Sequence, residues 1–104
     1  MNIQFDDRIY WTAGLEGVVT SATVDGEKVY CVLEGRVIAK HFGMPNDQWK
    51  IQKAYLQNRR FLEGIIRDAI ERGMVDERNE LLLGEDELMP YLEKHTPTPA
   101  TAPA

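Results

Sequence analysis

GVVTSATVDGEKVYCVLE, residues 17–34, decides how the rest of the chain is read. Two runs rich in β-branched residues flank Val24-Asp25-Gly26-Glu27, and Asp-Gly between such runs is a strong short-range hairpin signal. A type I′ turn needs positive φ at both central residues, which Asp25 tolerates and Gly26 adopts freely. That turn sets Val24 opposite Glu27, Ala22 opposite Val29, Thr20 opposite Cys31 and Val18 opposite Leu33. One face then carries Val18, Thr20, Ala22, Val24, Val29, Cys31 and Leu33. The other carries Val19, Ser21, Thr23, Lys28, Tyr30 and Val32, a mixed set. Turn chemistry and hydrophobic alternation choose the same register.

Working outward, EGRVIAKHFG predicts a short helix over 35–42 with Gly43 just past its end. Met44-Pro45 interrupts the chain, and Asn46 is placed to cap a second helix. That helix is expected over 47–72, stopped by Gly73. Ile51, Ala54, Tyr55, Asn58, Leu62, Ile65, Ile66, Ala69 and Gly73 step along one face by threes and fours, the pattern of an amphipathic helix. Lys50, Lys53, Gln57, Arg60, Gly64, Arg67 and Glu71 form the opposite face. Asn58 is the exception on the apolar stripe. A buried amide must find hydrogen bonds, and backbone of the sheet or of the N-terminal segment is its expected partner. Glu80–Leu83 reads as a further strand and Glu85–Glu87 as a helix start, with Pro90 limiting helix there to short pieces. Ile3–Phe5 reads as a short strand. The expected fold is α+β: an antiparallel sheet of three or four strands packed against one long helix plus short helices. Residues 1–95 form the single domain, and the Pro/Thr/Ala-rich 96–104 a disordered tail.

The 104 residues carry a formal net charge of −5. The excess of acid speaks against a dedicated nucleic-acid binder. Its distribution is uneven, with a basic middle segment between acidic flanks. Cys31 is the lone cysteine, so no internal disulfide can form. With no basic leader and no long apolar run, the chain reads as a cytoplasmic protein with no membrane segment.

Catalytic and metal-binding patterns are missing. His95 falls at the edge of the tail, and His41 sits near a helix end, where a cation suits the dipole. Cys31 falls on the apolar hairpin face. No CxxC, HxxxH, EF-hand or phosphate-cradling loop occurs, so neither catalytic residues, metal ligands nor cofactors are expected. The candidate binding residues are Lys50, Lys53, Arg60 and Arg67, aligned on the back of the long helix, with Trp49. Acids interleave with them: Glu63 and Glu71 stand four residues either side of Arg67, and Asp68 four before Arg72. Such pairs mark a solvated helix face. Trp11 and Trp49 are both expected to be largely packed, and Trp49, off the apolar stripe by helical angle, is expected to contact the neighbouring short helix or a partner. Asn58, Asp25, Gly26 and Gly73 carry structural roles.

Phe5-Asp6-Asp7-Arg8, then VDGEKVYC, a helix ending His41-Phe42-Gly43, and Asn58-Arg59 on a long helix resemble the small bacterial family Domain of Unknown Function 1488. The likeness runs over roughly residues 2–85. It implies a compact α+β fold and a bacterial source, and it assigns no activity and no site residues. On these grounds the expected role is a non-enzymatic module that binds protein or associates with itself through a sheet edge. The alternative is a nucleic-acid-binding regulator using the basic helix face.

Overall fold

The hairpin forms as its turn chemistry requires. A computed structural model describes residues 1–94; His95 and the expected tail at 96–104 lie outside the described residues. Asp25 and Gly26 have φ of 50° and 89°. The Asp25 carboxylate also accepts the Asn2 N–H at 2.8 Å, tying the N-terminus to the turn. In chain order the elements are β1 (Ile3–Phe5), β2 (Tyr10–Thr12), β3 (Gly17–Val24) and β4 (Glu27–Glu34). These are followed by α1 (Gly35–Phe42), α2 (Gln48–Gln57), α3 (Arg59–Glu71), β5 (Glu80–Leu83) and α4 (Glu85–Leu92). β3 and β4 pair in the expected register, Val18 opposite Leu33 through Val24 opposite Glu27.

The sheet has five strands rather than three or four, and it is mixed. β1 and β2 lie one after the other along the same edge of β3, both antiparallel to it. They act as one edge strand interrupted at Asp6–Ile9, where the Asp6 N–H still donates to the Ser21 carbonyl at 2.9 Å. β5 joins the other edge parallel to β4, with Val32 opposite Leu82. The parallel pairing follows from the connection: α1, α2 and α3 carry the chain across one face before β5 begins, as a parallel pair demands. Both hairpin strands are therefore interior, and the sheet edges among the described residues belong to β1, β2 and β5.

One face of the sheet is buried. Val18, Ala22, Val29, Cys31, Leu33, Leu81 and Leu83 meet Ile38, Ile51, Tyr55, Leu62 and Ile66 from the helices in a single core. Gly35 lets α1 begin close against the sheet: a Cβ there would stand 2.8 Å from the Glu16 carbonyl oxygen and 2.8 Å from the Trp11 ring. Trp11 is half-buried against the core, as expected. Gly43, at φ 65°, closes α1, and Gly73, at φ 76°, follows α3.

The long helix is two helices. Asn58, at φ −116° and ψ 25°, interrupts it. The buried Asn58 amide donates to the carbonyl of Ala54 at 2.9 Å. One partner of the amide is thus a carbonyl of its own helix. The N-terminal segment is held by the neighbouring Arg59, whose guanidinium donates to the Asp6 carbonyl and to Glu63. Asp47 rather than Asn46 caps α2, its carboxylate accepting the Lys50 N–H at 2.9 Å. α4 runs through Pro90 to Leu92. No helix among the described residues is long and apolar enough to cross a membrane.

Candidate functional site

α2 buries Ile51, Ala54 and Tyr55 and turns its remaining positions to solvent. Trp49, Lys53 and Leu56 follow one another at steps of four and three residues, so they share one side of α2, and Arg60, the second residue of α3 beyond the break at Asn58, lines the same concavity as Leu56. Trp49 is 72% exposed and Leu56 50% exposed. The expectation that Trp49 packs against the neighbouring short helix is overturned. It lies off the apolar stripe, and α1 does not come round to cover it. Leu56 is not among the residues expected from sequence, although its position seven residues after Trp49 is legible by helical angle.

The electrostatics of this face also differ from expectation. No acid occurs from Gln48 through Leu62. Lys50, Lys53 and Arg60 are exposed, and among the described residues none of them forms an ion pair. Glu63, expected beside Arg67, turns to Arg59 at 3.0 Å. Arg67 leaves the patch altogether: its guanidinium lies over the Phe5 ring, 5.5 Å from the centroid, pinning α3 to β1. The expected pair of Asp68 with Arg72 forms at 2.9 Å. The structure therefore brings together Trp49, Lys50, Lys53, Leu56 and Arg60, and excludes Arg67. At the far end of the patch, the break at Asn58 leaves a concavity of about 380 Å³ between Leu56 and Phe61.

The titratable groups suited to chemistry are arranged differently. Cys31 is fully buried, and desolvation pushes its thiol up to about 12. A thiol that stays protonated is a poor nucleophile. His41 lies in the last turn of α1, its ring edge-on to Phe42. Among the described residues, no three His, Cys, Asp or Glu side chains gather as metal ligands would. A separate concavity of about 500 Å³ lies where α3 faces α4, lined by Phe61, Arg72, Met74, Pro90, Tyr91 and Lys94. There the Tyr91 hydroxyl donates to Asp68, which raises the tyrosine pKa.

Comparison with known proteins agrees with this fold. The chain belongs to the family described as Protein of unknown function (DUF1488), whose model matches residues 3–83. It is similar to the crystal structure of a protein of unknown function from the same family, from Shewanella loihica PV-4. Identity is 20%, the match covers 80% of this chain and 94% of that chain, and the TM-score is 0.71. At that identity the likeness establishes a shared fold. Among curated proteins none matches the chain.

Proposed function

We propose that this member of the DUF1488 family is a non-enzymatic binding module of the cytoplasm that takes an acidic, partly apolar segment of another protein on the outer face of α2. The observation that carries the reading is the 72% exposed Trp49, set beside unpaired cations on a helix without acids. Large apolar surface is rarely left open on a helix without use, and tryptophan with basic neighbours is the composition of an interaction hot spot. Trp49 and Leu56 stand one heptad apart, about 10 Å along the axis, a spacing that matches two anchors of an amphipathic helix. Lys50, Lys53 and Arg60 would flank those anchors and select carboxylates. The chain as a whole is acidic, so this basic face stands out against a repelling background.

The second reading, single-stranded nucleic acid, uses the same cations and one base stacked on Trp49. It is weaker because the face offers one exposed ring, not a succession of them. A titration of the full chain followed by amide NMR separates the two. With an acidic amphipathic peptide, shifts confined to 48–61 that vanish in Trp49→Ala and Lys53→Glu are expected. If an oligothymidine binds instead, with log K falling against log salt at a slope of about −2 for three phosphate contacts, the nucleic-acid reading replaces it. Absence of shifts from either probe defeats both.

A further inference from the structure

The concavity of about 500 Å³ where α3 faces α4 is a groove with two apolar walls. Phe61 and Met74 stand on one side of it, Pro90 and Tyr91 on the other. Met74 and Pro90 are exposed, and Phe61 and Tyr91 are half-buried. The Tyr91 hydroxyl and the Arg72 guanidinium both donate to Asp68, which holds the ring and the cation in place beside the groove. Gly64 lies on the same side of α3, one turn after Phe61 and one turn before Asp68. Glycine inside a helix is destabilising relative to alanine. Its φ is not positive, and among the described residues nothing stands within 4 Å of where a Cβ would lie. No contact of the described residues therefore asks for glycine there, and the bare backbone admits the close approach of a further segment.

We infer that this groove is the docking site of the chain's own residues 96–104, TPTPATAPA, laid in it as a polyproline II strand. Lys94, the last described residue, lines the groove, so the chain leaves the described part at its rim. From Phe61 to Arg72, α3 runs about 16 Å. About five residues of polyproline II, at roughly 3.1 Å each, cover that length. The residues beyond Lys94 are enough to cross the groove from either end. Their composition suits it. Proline fixes φ in advance, so such a strand loses little freedom on docking, and aromatic-lined grooves are what proline-rich segments bind. Phe61, Met74 and Tyr91 offer apolar surface to Pro97 and Pro99. Arg72 and Lys94 offer donors to the carbonyls that a polyproline II backbone leaves unpaired.

Charge favours this occupant over an acidic partner. The rim carries Asp86 and Glu87 as well as Arg72 and Lys94, so an acidic segment meets repulsion there. Residues 96–104 have no charged side chain and give up no ion hydration on docking. Tethering at Lys94 makes the contact intramolecular, with an effective concentration of about a millimolar, so weak intrinsic affinity is enough. The inference is independent of the α2 reading, since none of Trp49, Lys50, Lys53, Leu56 and Arg60 lines this groove.

Amide NMR of the full chain tests it. Residues 96–100 are expected to show order parameters near those of rigid backbone, about 0.85, rather than below about 0.6. A nitroxide at Thr101→Cys, with buried Cys31 left unlabelled, is expected to broaden the amides of Phe61, Gly64, Arg72 and Tyr91 and to spare Tyr10 and Tyr30 on the opposite sheet face. Replacing both prolines, Pro97→Gly and Pro99→Gly, alters no described residue and is expected to cut that broadening at least threefold. Order parameters below about 0.6, broadening confined to the neighbours of Lys94, or equal broadening without the prolines would overturn the inference. So would broadening seen only between a nitroxide-bearing copy and a separate isotope-labelled one, which would make the contact intermolecular. Trp49→Ala is expected to leave the broadening unchanged, so loss of this inference and loss of the α2 reading are told apart.

Discussion

Asn58 is the residue on which the helical half of the molecule turns. Its buried amide closes on the Ala54 carbonyl one turn back, and its own N–H is shared between the carbonyls of Ala54 and Tyr55. Asparagine readily offers backbone such local bonds in place of regular helix. Asn58→Ala removes the amide bond and is expected to lower stability by about 1 kcal/mol, part of the loss being offset by alanine's better helix propensity. Urea denaturation checks this, and a midpoint unchanged or raised would show that the amide has no structural role. Tyr55 is the contrasting case. Its hydroxyl is buried with no hydrogen-bond partner among the described residues, and so is that of Thr20. The two nonetheless face each other closely enough for Thr20 to offset part of the rise in the Tyr55 pKa. Tyr55→Phe removes an unsatisfied buried group with little change of volume, so it is expected to leave stability unchanged or raise it by up to about 1 kcal/mol.

Between elements, close approach matters more than propensity. α1 starts directly from β4, and Gly35 at that junction has no room for a side chain. Gly35→Ala drives a methyl group into the Glu16 carbonyl and the Trp11 ring. The expected cost is about 2–3 kcal/mol, as for overpacking. Thermal unfolding by circular dichroism measures it, and a near-neutral result would mean that β2 can shift away freely. The same scale explains which elements are legible in the sequence. The β3–β4 hairpin, α1 and the buried stripe of α2 and α3 are local, set by turn residues and by periods of two and about 3.6. The helix break, the cap at Asp47 and the parallel docking of β5 depend on contacts that no local pattern encodes. The ion pairs depend on such contacts too. Glu63 has arginines four residues to either side, and sequence alone does not choose between Arg59 and Arg67. The choice falls to Arg59 because Phe5 takes Arg67.

For the molecule as a whole, the buried Cys31 thiol and the tyrosines predict an alkaline limit. Burial is the main cause raising the Tyr55 hydroxyl from 10.0 to about 12, and the bond to Asp68 is the main cause raising that of Tyr91. A raised phenol pKa means that the native state keeps protons which the unfolded chain releases. The contribution is therefore complete below the unfolded pKa of 10.0 and is lost as pH rises through the native one. Stability is expected to hold up to about pH 9, where the thiol of Cys31 begins to ionise in the unfolded chain, and then to fall toward pH 12, at about 1.4 kcal/mol per pH unit for each of Cys31 and Tyr55 once its unfolded pKa is passed. Denaturant titrations across that range check it. Tyr55→Phe should flatten the fall, and an equally steep fall in that variant would assign the limit elsewhere.

The candidate surfaces were only partly legible. Helical angle placed Lys50, Lys53 and Arg60 outward. Nothing local said that Trp49 would go uncovered, or that Phe61 and Tyr91 would line one groove. By itself the sequence determined the hairpin and its register, the buried faces and the α+β class, because turn conformations and hydrophobic alternation act over a few residues. Tertiary structure alone decided which edge β5 joins, which arginine Glu63 meets and which apolar side chains are left in water. Those outcomes depend on how distant segments compete for the same surface.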